Sequence, residues 1–150
     1  MGYDKIMLIK MQFSKKALLG IFIILTILVS FTSCYSIYEK EYYSNIDNFV
    51  TSQAKIENII YVEDDEFLVM WLSETDEVYT TKNFIVEGDN LKIVLENNIL
   101  EKLKINDNII FTSAPRIFGN GYFLPLVEIK FNDESILEFS DGYNNLMNSY

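Results

Sequence analysis

The chain has few groups that can do chemistry, and none of its 150 residues is histidine. Without imidazole, the commonest general base, the commonest metal ligand and the usual partner of a Ser or Cys nucleophile are missing. What remains is one cysteine (Cys34), one arginine (Arg116) and a surplus of carboxylates, 22 against 12 basic residues. Arg116 lies in a loop, 114–121 (APRIFGNG), with Phe118 inside it and Tyr122 and Phe123 just after it. A guanidinium beside exposed rings can hold an anionic or planar ligand. Arg116, Phe118, Tyr122 and Phe123 are therefore the candidate ligand-binding set. The opposing reading has the rings plugging one end of the fold while Arg116 pairs with one of the many acids; the number of acids favours it. Glu63, Asp64, Asp65 and Glu66 form a run of carboxylates that could attract a hard cation. The run lacks the alternating ligand spacing and the glycine of an EF-hand loop. It reads as a solvated hairpin tip, and no metal site is expected. Glycoside hydrolysis needs two acids facing each other across a cleft. With so many acids no pair stands out, so no catalytic residue is assigned, and no cofactor is implied.

Charge is divided unevenly along the chain. Before Cys34 lie Lys5, Lys10, Lys15 and Lys16 against Asp4. From Cys34 onward there are eight basic residues against 21 acidic ones, a net charge of −13. Such a body repels phosphate backbones and has no basic stripe to displace counterions, so nucleic acid is not an expected partner. A single cysteine allows no internal disulfide, so the body must fold on its core alone.

Residues 17–31 (ALLGIFIILTILVSF) carry no charge and follow Lys15–Lys16 directly. A charged start, an apolar run and then small polar residues is the layout of a secretory signal. The uncharged run has 15 residues, fewer than the about 20 needed to span a bilayer. Extended to Tyr38, over about 17–38, it reaches spanning length, so a signal-anchor helix is the alternative. Starting at Met11 would give MQFSKK followed at once by the apolar run, a more ordinary leader than one starting at Met1.

Phe31-Thr32-Ser33-Cys34 resembles the lipobox of bacterial lipoproteins, an apolar residue and two small ones before a cysteine. Phe31 stands where that family usually has Leu. The resemblance covers about the first quarter of the chain. It implies that the Cys34 sulfur receives a diacylglyceryl group, that 1–33 is a signal peptide, and that Cys34 becomes the first residue of the mature protein. Two acyl chains on one residue would hold the protein firmly at a membrane. The lysines would lie on the inner side and the acidic body outside.

Residues 35–48 (YSIYEKEYYSNIDN) are polar and tyrosine-rich without clear periodicity, which reads as a tether within 34–48. From Phe49 the chain turns β-rich. Strands are expected at 54–62, 67–72, 78–86, 109–112, 122–131 and 135–139. The run 67–72 (FLVMWL) is apolar at every position, so both its faces must be covered, and Trp71 reads as core. Apolar residues at 91, 94, 95, 99 and 103 have helical spacing, with Asp89 or Asn90 as N-cap. Pro125 is expected at an edge or a bulge. Asp141-Gly142 closes the last strand and leaves a polar tail.

The expected fold class is mainly β. Three strands, one helix and then two or three strands is the order of a small OB-like β-barrel over 49–150, with the helix between strands 3 and 4. The body also resembles small exported Gram-positive proteins of unknown function with OB-like domains. These expectations describe a membrane-tethered exported module that binds a protein or cell-envelope ligand and is not an enzyme. Two alternatives stand beside it: a small carboxylate-based hydrolase of the cell envelope, and a single-span membrane protein with an external β domain. No GxxxG occurs in the apolar run to mark a helix-packing face.

Overall fold

The computed structural model describes residues 37–73, 78–79, 81–118 and 122–150. The chain divides into two units, Met1–Cys34 and Tyr35–Tyr150, and the described residues belong to the second. The apolar run and Cys34, with the signal, anchor and lipidation readings, lie outside the described residues. No helix among the described residues is long and apolar enough to cross a membrane.

The second unit is mainly β. Its strands are β1 Val50–Val62, β2 Phe67–Ser73, β3 Asn83–Glu87, β4 Asn108–Ser113, β5 Leu124–Phe131 and β6 Glu134–Leu137. Residues 37–44 are helical (α1), followed by a 3-10 turn at Ile46–Asn48. The other helices are α2 Gly88–Glu96, α3 Ile99–Lys102 and α4 Phe139–Asn148. β1, β2 and β3 form an antiparallel meander. The first half of β1 pairs with β4, β4 with β5, and β5 with β6, all antiparallel. β5 also runs parallel to β3 at Leu124 and Pro125, opposite Phe84 and Ile85. The pairings therefore close into a ring, β3-β2-β1-β4-β5 and back to β3, with β6 attached to β5. Closing a sheet on itself removes the exposed edges at which chains aggregate. Pro125 has no N–H to continue a ladder and stands at the end of this short parallel pairing.

Alternation along the strands fills the ring. Ile56, Leu68, Met70, Leu72, Phe84, Val86, Ile109, Phe111, Leu124, Leu126 and Ile129 point inward and are buried. Leu91 and Val94 of α2, Ile99 of α3 and Leu103 join the same core. β1 keeps its apolar side inward by means of a register break between Ile56 and Asn58. Before it Ala54 and Ile56 face the core; after it Ile59 and Tyr61 do. Glu57 is the extra residue of this bulge, which bends the strand between its two partners.

Several expectations need correction. The helix expected over 91–103 is two helices, because Asn98 adopts a left-handed conformation (φ 56°) between them, which Asn tolerates better than most residues. It starts earlier, with Glu87 at the N-cap position in place of Asp89 or Asn90. The third strand begins at Asn83, not Val78. Tyr79 lies before it, buried, with its hydroxyl donating to the Val50 carbonyl at 2.6 Å. The stretch read as a tether is helical over 37–44 and fastened to the body. Tyr43 is only 3% exposed, and the Tyr143 hydroxyl donates to the Ser44 carbonyl at 3.1 Å.

The expected polar tail is the helix α4. Gly142 sits inside it, where a Cβ would lie 2.0 Å from the Val127 carbonyl oxygen. Val127 is the unpaired residue of a β5 bulge, since Thr112 faces Glu128 and Ser113 faces Leu126. Only a glycine lets the helix backbone approach the strand this closely. Asn90 of α2 fixes the contact: its Nδ2 donates to the Gly142 carbonyl at 3.0 Å, and its Oδ1 accepts from Asn145 at 2.9 Å. The buried amide is thereby satisfied.

Candidate functional site

Arg116 is exposed in the loop after β4. Its guanidinium carbon lies 4.9 Å from the Phe118 ring centre and 5.5 Å from that of Tyr42. Both distances suit a cation over an aromatic face. The two rings lie 5.2 Å apart and continue into a cluster through Tyr43 to Phe49 and Tyr150. From Phe49 the cluster reaches Phe139 and Tyr143 of α4. Among the described residues no carboxylate lies within ion-pair distance of Arg116. Its contacts are aromatic, and one of them, Tyr42, comes from α1.

The cluster is dry enough to shift its phenols. Burial pushes the Tyr43 hydroxyl well above the ordinary tyrosine value, helped by the negative charge of Glu39. Tyr150 is raised likewise, by burial first and then by its hydrogen bond to Glu39. Tyr42 is raised by burial against the opposing pull of the Arg116 charge and backbone N–H. Phenols held protonated in this way pack as hydrophobic rings.

Of the four residues proposed as a set, Arg116 and Phe118 are brought together. Tyr122 and Phe123 are not part of that cluster: among the described residues no ring contact links them to Phe118 or Tyr42. Tyr122 is 73% exposed and touches the segment before β3 through its carbonyl, which accepts from Thr81 at 3.3 Å.

A different surface comes from the outward side of the meander. Three rows of side chains cross β1, β2 and β3: Asn58, Trp71 and Asn83; Ile60, Val69 and Ile85; Val62, Phe67 and Glu87. Their neighbours Leu68, Met70, Phe84 and Val86 point inward, so these nine point outward. Six of them are apolar; Val69, at the centre, is buried at 7% exposure beneath its neighbours, and the other five are not buried. Ile60 is 41% exposed, and Val62, Phe67, Trp71 and Ile85 are half-buried. Trp71 is thus an outward residue and not part of the core. Sequence reasoning missed this face because a run apolar at every position does not reveal which side is the surplus one. The signal was there in Ile60 and Val62, which continue the pattern outward on β1.

At the β3 end this face runs into a cleft of about 490 Å³. Its walls include Ile85, Pro125, Leu126 and Leu146, and its rim Asp65, Glu66, Glu87 and Asp89. Asp65 and Glu66 belong to the exposed hairpin tip between β1 and β2. Asp89 pairs with Lys92 at 2.6 Å. Among the described residues no group of three or more side chains is arranged to hold a metal ion. The surface is apolar across the strands and acidic where they end. No family model matches this chain, and no curated protein or solved structure matches it.

Proposed function

We propose that the protein is an exported, lipid-anchored binding module whose body is an OB-like barrel. The barrel reading is supported by the closed order of strand pairings and by α2 and α3 lying between β3 and β4. The anchor reading is supported by the lipobox-like Phe31-Thr32-Ser33-Cys34 behind a Lys pair and an apolar run. Binding is carried by one observation: five partly exposed apolar side chains, Ile60, Val62, Phe67, Trp71 and Ile85, surround the buried Val69 on the outside of a ring that has a core of its own. Exposed contiguous apolar surface on a small domain marks an interaction site. Cell-envelope proteins are the class of partner expected, and no catalytic step is assigned.

Two measurements test this. A fatty-acid probe should label the wild-type protein in cells and leave Cys34→Ser unlabelled; equal labelling removes the anchor. A photocrosslinking amino acid at position 60, on the apolar face, should give a discrete adduct in cells. The same group at position 53, outward on the polar half of β1, should not. Adducts at both positions or at neither reject the binding face.

A further inference from the structure

The outward apolar face and the acidic cleft are one surface. Ile85 lies in the middle row of the face and also in the cleft wall; Glu87 lies in the last row and also on the rim. Pro125, paired with Ile85 across the parallel ladder, carries the surface from β3 to β5. We infer that the partner is a protein segment that lays apolar side chains on the meander and places a Lys or Arg side chain in the cleft. This rests on the binding-module reading and adds the chemistry of the partner.

Charge and shape both point to a cation. Among the described residues no Lys or Arg lines the cleft. Asp89 already has Lys92, but among the described residues no ion pair closes on Asp65, Glu66 or Glu87. Behind these carboxylates stand Ile85, Pro125 and Leu146. A Lys or Arg has the matching form, an apolar stem with a charged head. An acidic segment would meet uncompensated like charge, which opposes binding at an interface. The body as a whole carries −13, so its field steers the same kind of partner from a distance. The apolar half of the partner follows from the rows themselves. Trp71 and Phe67 are the large anchors of the type that dominates binding energy, and Asn58 and Asn83 flank Trp71 as polar borders.

The test selects a random-peptide phage library on the full chain held in nanodiscs. Enriched peptides should carry Lys or Arg next to an apolar stretch. Their affinity should fall roughly tenfold for the double variant Glu66→Gln/Glu87→Gln, and by a similar factor between low and high salt. Both sites are exposed, and an unchanged melting temperature for the double variant verifies that the body is intact. Enrichment without basic residues, affinity indifferent to the double variant, or no enrichment at all would overturn the inference. The position-60 crosslink separates the two levels. If it persists in cells while the selected peptides are not basic, the partner chemistry is wrong and the binding face stands. If both are silent, the face itself is wrong.

Discussion

β1 borders two outer surfaces, and they differ in kind. Where it pairs with β4, its outward residues are Thr51, Gln53 and Lys55. Across β4 and β5 these meet Thr112, Glu128 and Lys130 in a chain of side-chain bonds. Thr51 and Thr112 share a hydrogen bond of 2.7 Å, Thr112 donates to Glu128 at 2.5 Å, and Lys130 donates to the other Glu128 oxygen at 2.5 Å. Glu128 is only 7% exposed, yet both its oxygens are used. Where β1 pairs with β2, its outward residues are Asn58, Ile60 and Val62, and no such network covers them. One side of the ring satisfies itself; the other is left with apolar area in contact with water. Only the second offers apolar area for a proposed partner to cover, and that contrast, more than any single residue type, supports the binding proposal.

The sharpest way to break the comparison is to disturb the self-contained side. Gly142→Ala drives a Cβ into the Val127 carbonyl next to Glu128. Overpacking against backbone should cost about 3 kcal/mol, read as a lower denaturant midpoint, and should loosen α4. Glu128→Ala should cost about 2 kcal/mol, because the charge-assisted bonds to Thr112 and Lys130 are lost together; a double-mutant cycle with Lys130→Ala apportions the loss.

Alkali should act on the closed regions and spare the apolar face. Tyr43 has a raised folded pKa, so above about pH 10 the unfolded chain releases the phenolic proton while the native chain retains it. Stability from this group is therefore full below pH 10 and falls by about 1.4 kcal/mol per pH unit above it. Lys130, raised by its bond to Glu128, acts in the same sense: its contribution is present below the ordinary lysine value and lost as pH passes the raised one. Tyr43→Phe should flatten the alkaline fall in melting temperature, and an unaltered slope would show that Tyr43 is not dry. Arg116→Ala should cost about 1 kcal/mol through its aromatic contacts, placing that loop with the self-contained regions. The smallest effect is expected on the open side. Ile60→Thr keeps the β-branch and should change stability by less than about 0.5 kcal/mol. Trp71, the only tryptophan, reports on the same side, and acrylamide should quench it in the folded protein. Resistance to quenching would return it to the core.

Alternation, β-branched runs and turn residues made most strands legible, along with the helix position between the third and fourth. The two ends of the unit were not. Phe139, Tyr143 and Leu146 have helical spacing, but Asp141-Gly142 within them reads as a turn until Val127 is seen to require the glycine. Tyr42 and Tyr43 lie in a polar stretch whose helix is stabilised by packing on Phe49 nearby and on Phe118, the latter a contact across about 75 residues of chain that no local window contains. For the same reason Arg116 looked like a ligand contact, because its tyrosine partner comes from α1. The outward face was half visible: the apolar run on β2 was plain, but its surplus side emerged only with the register of β1.

That register steps over Glu57. Ahead of it, even-numbered residues of β1 point inward; beyond it, odd-numbered ones do. The side-chain period of a strand is two, so removing this single residue would close the bulge into plain alternation, with Asn58 still opposite Trp71, Ile59 and Tyr61 still inward and Ile60 and Val62 still outward. One in-frame codon deletion at this point would thus be absorbed, straightening the strand while leaving its contact residues where they are. Descendants of this gene can lose that codon and still present the same residues to the outside.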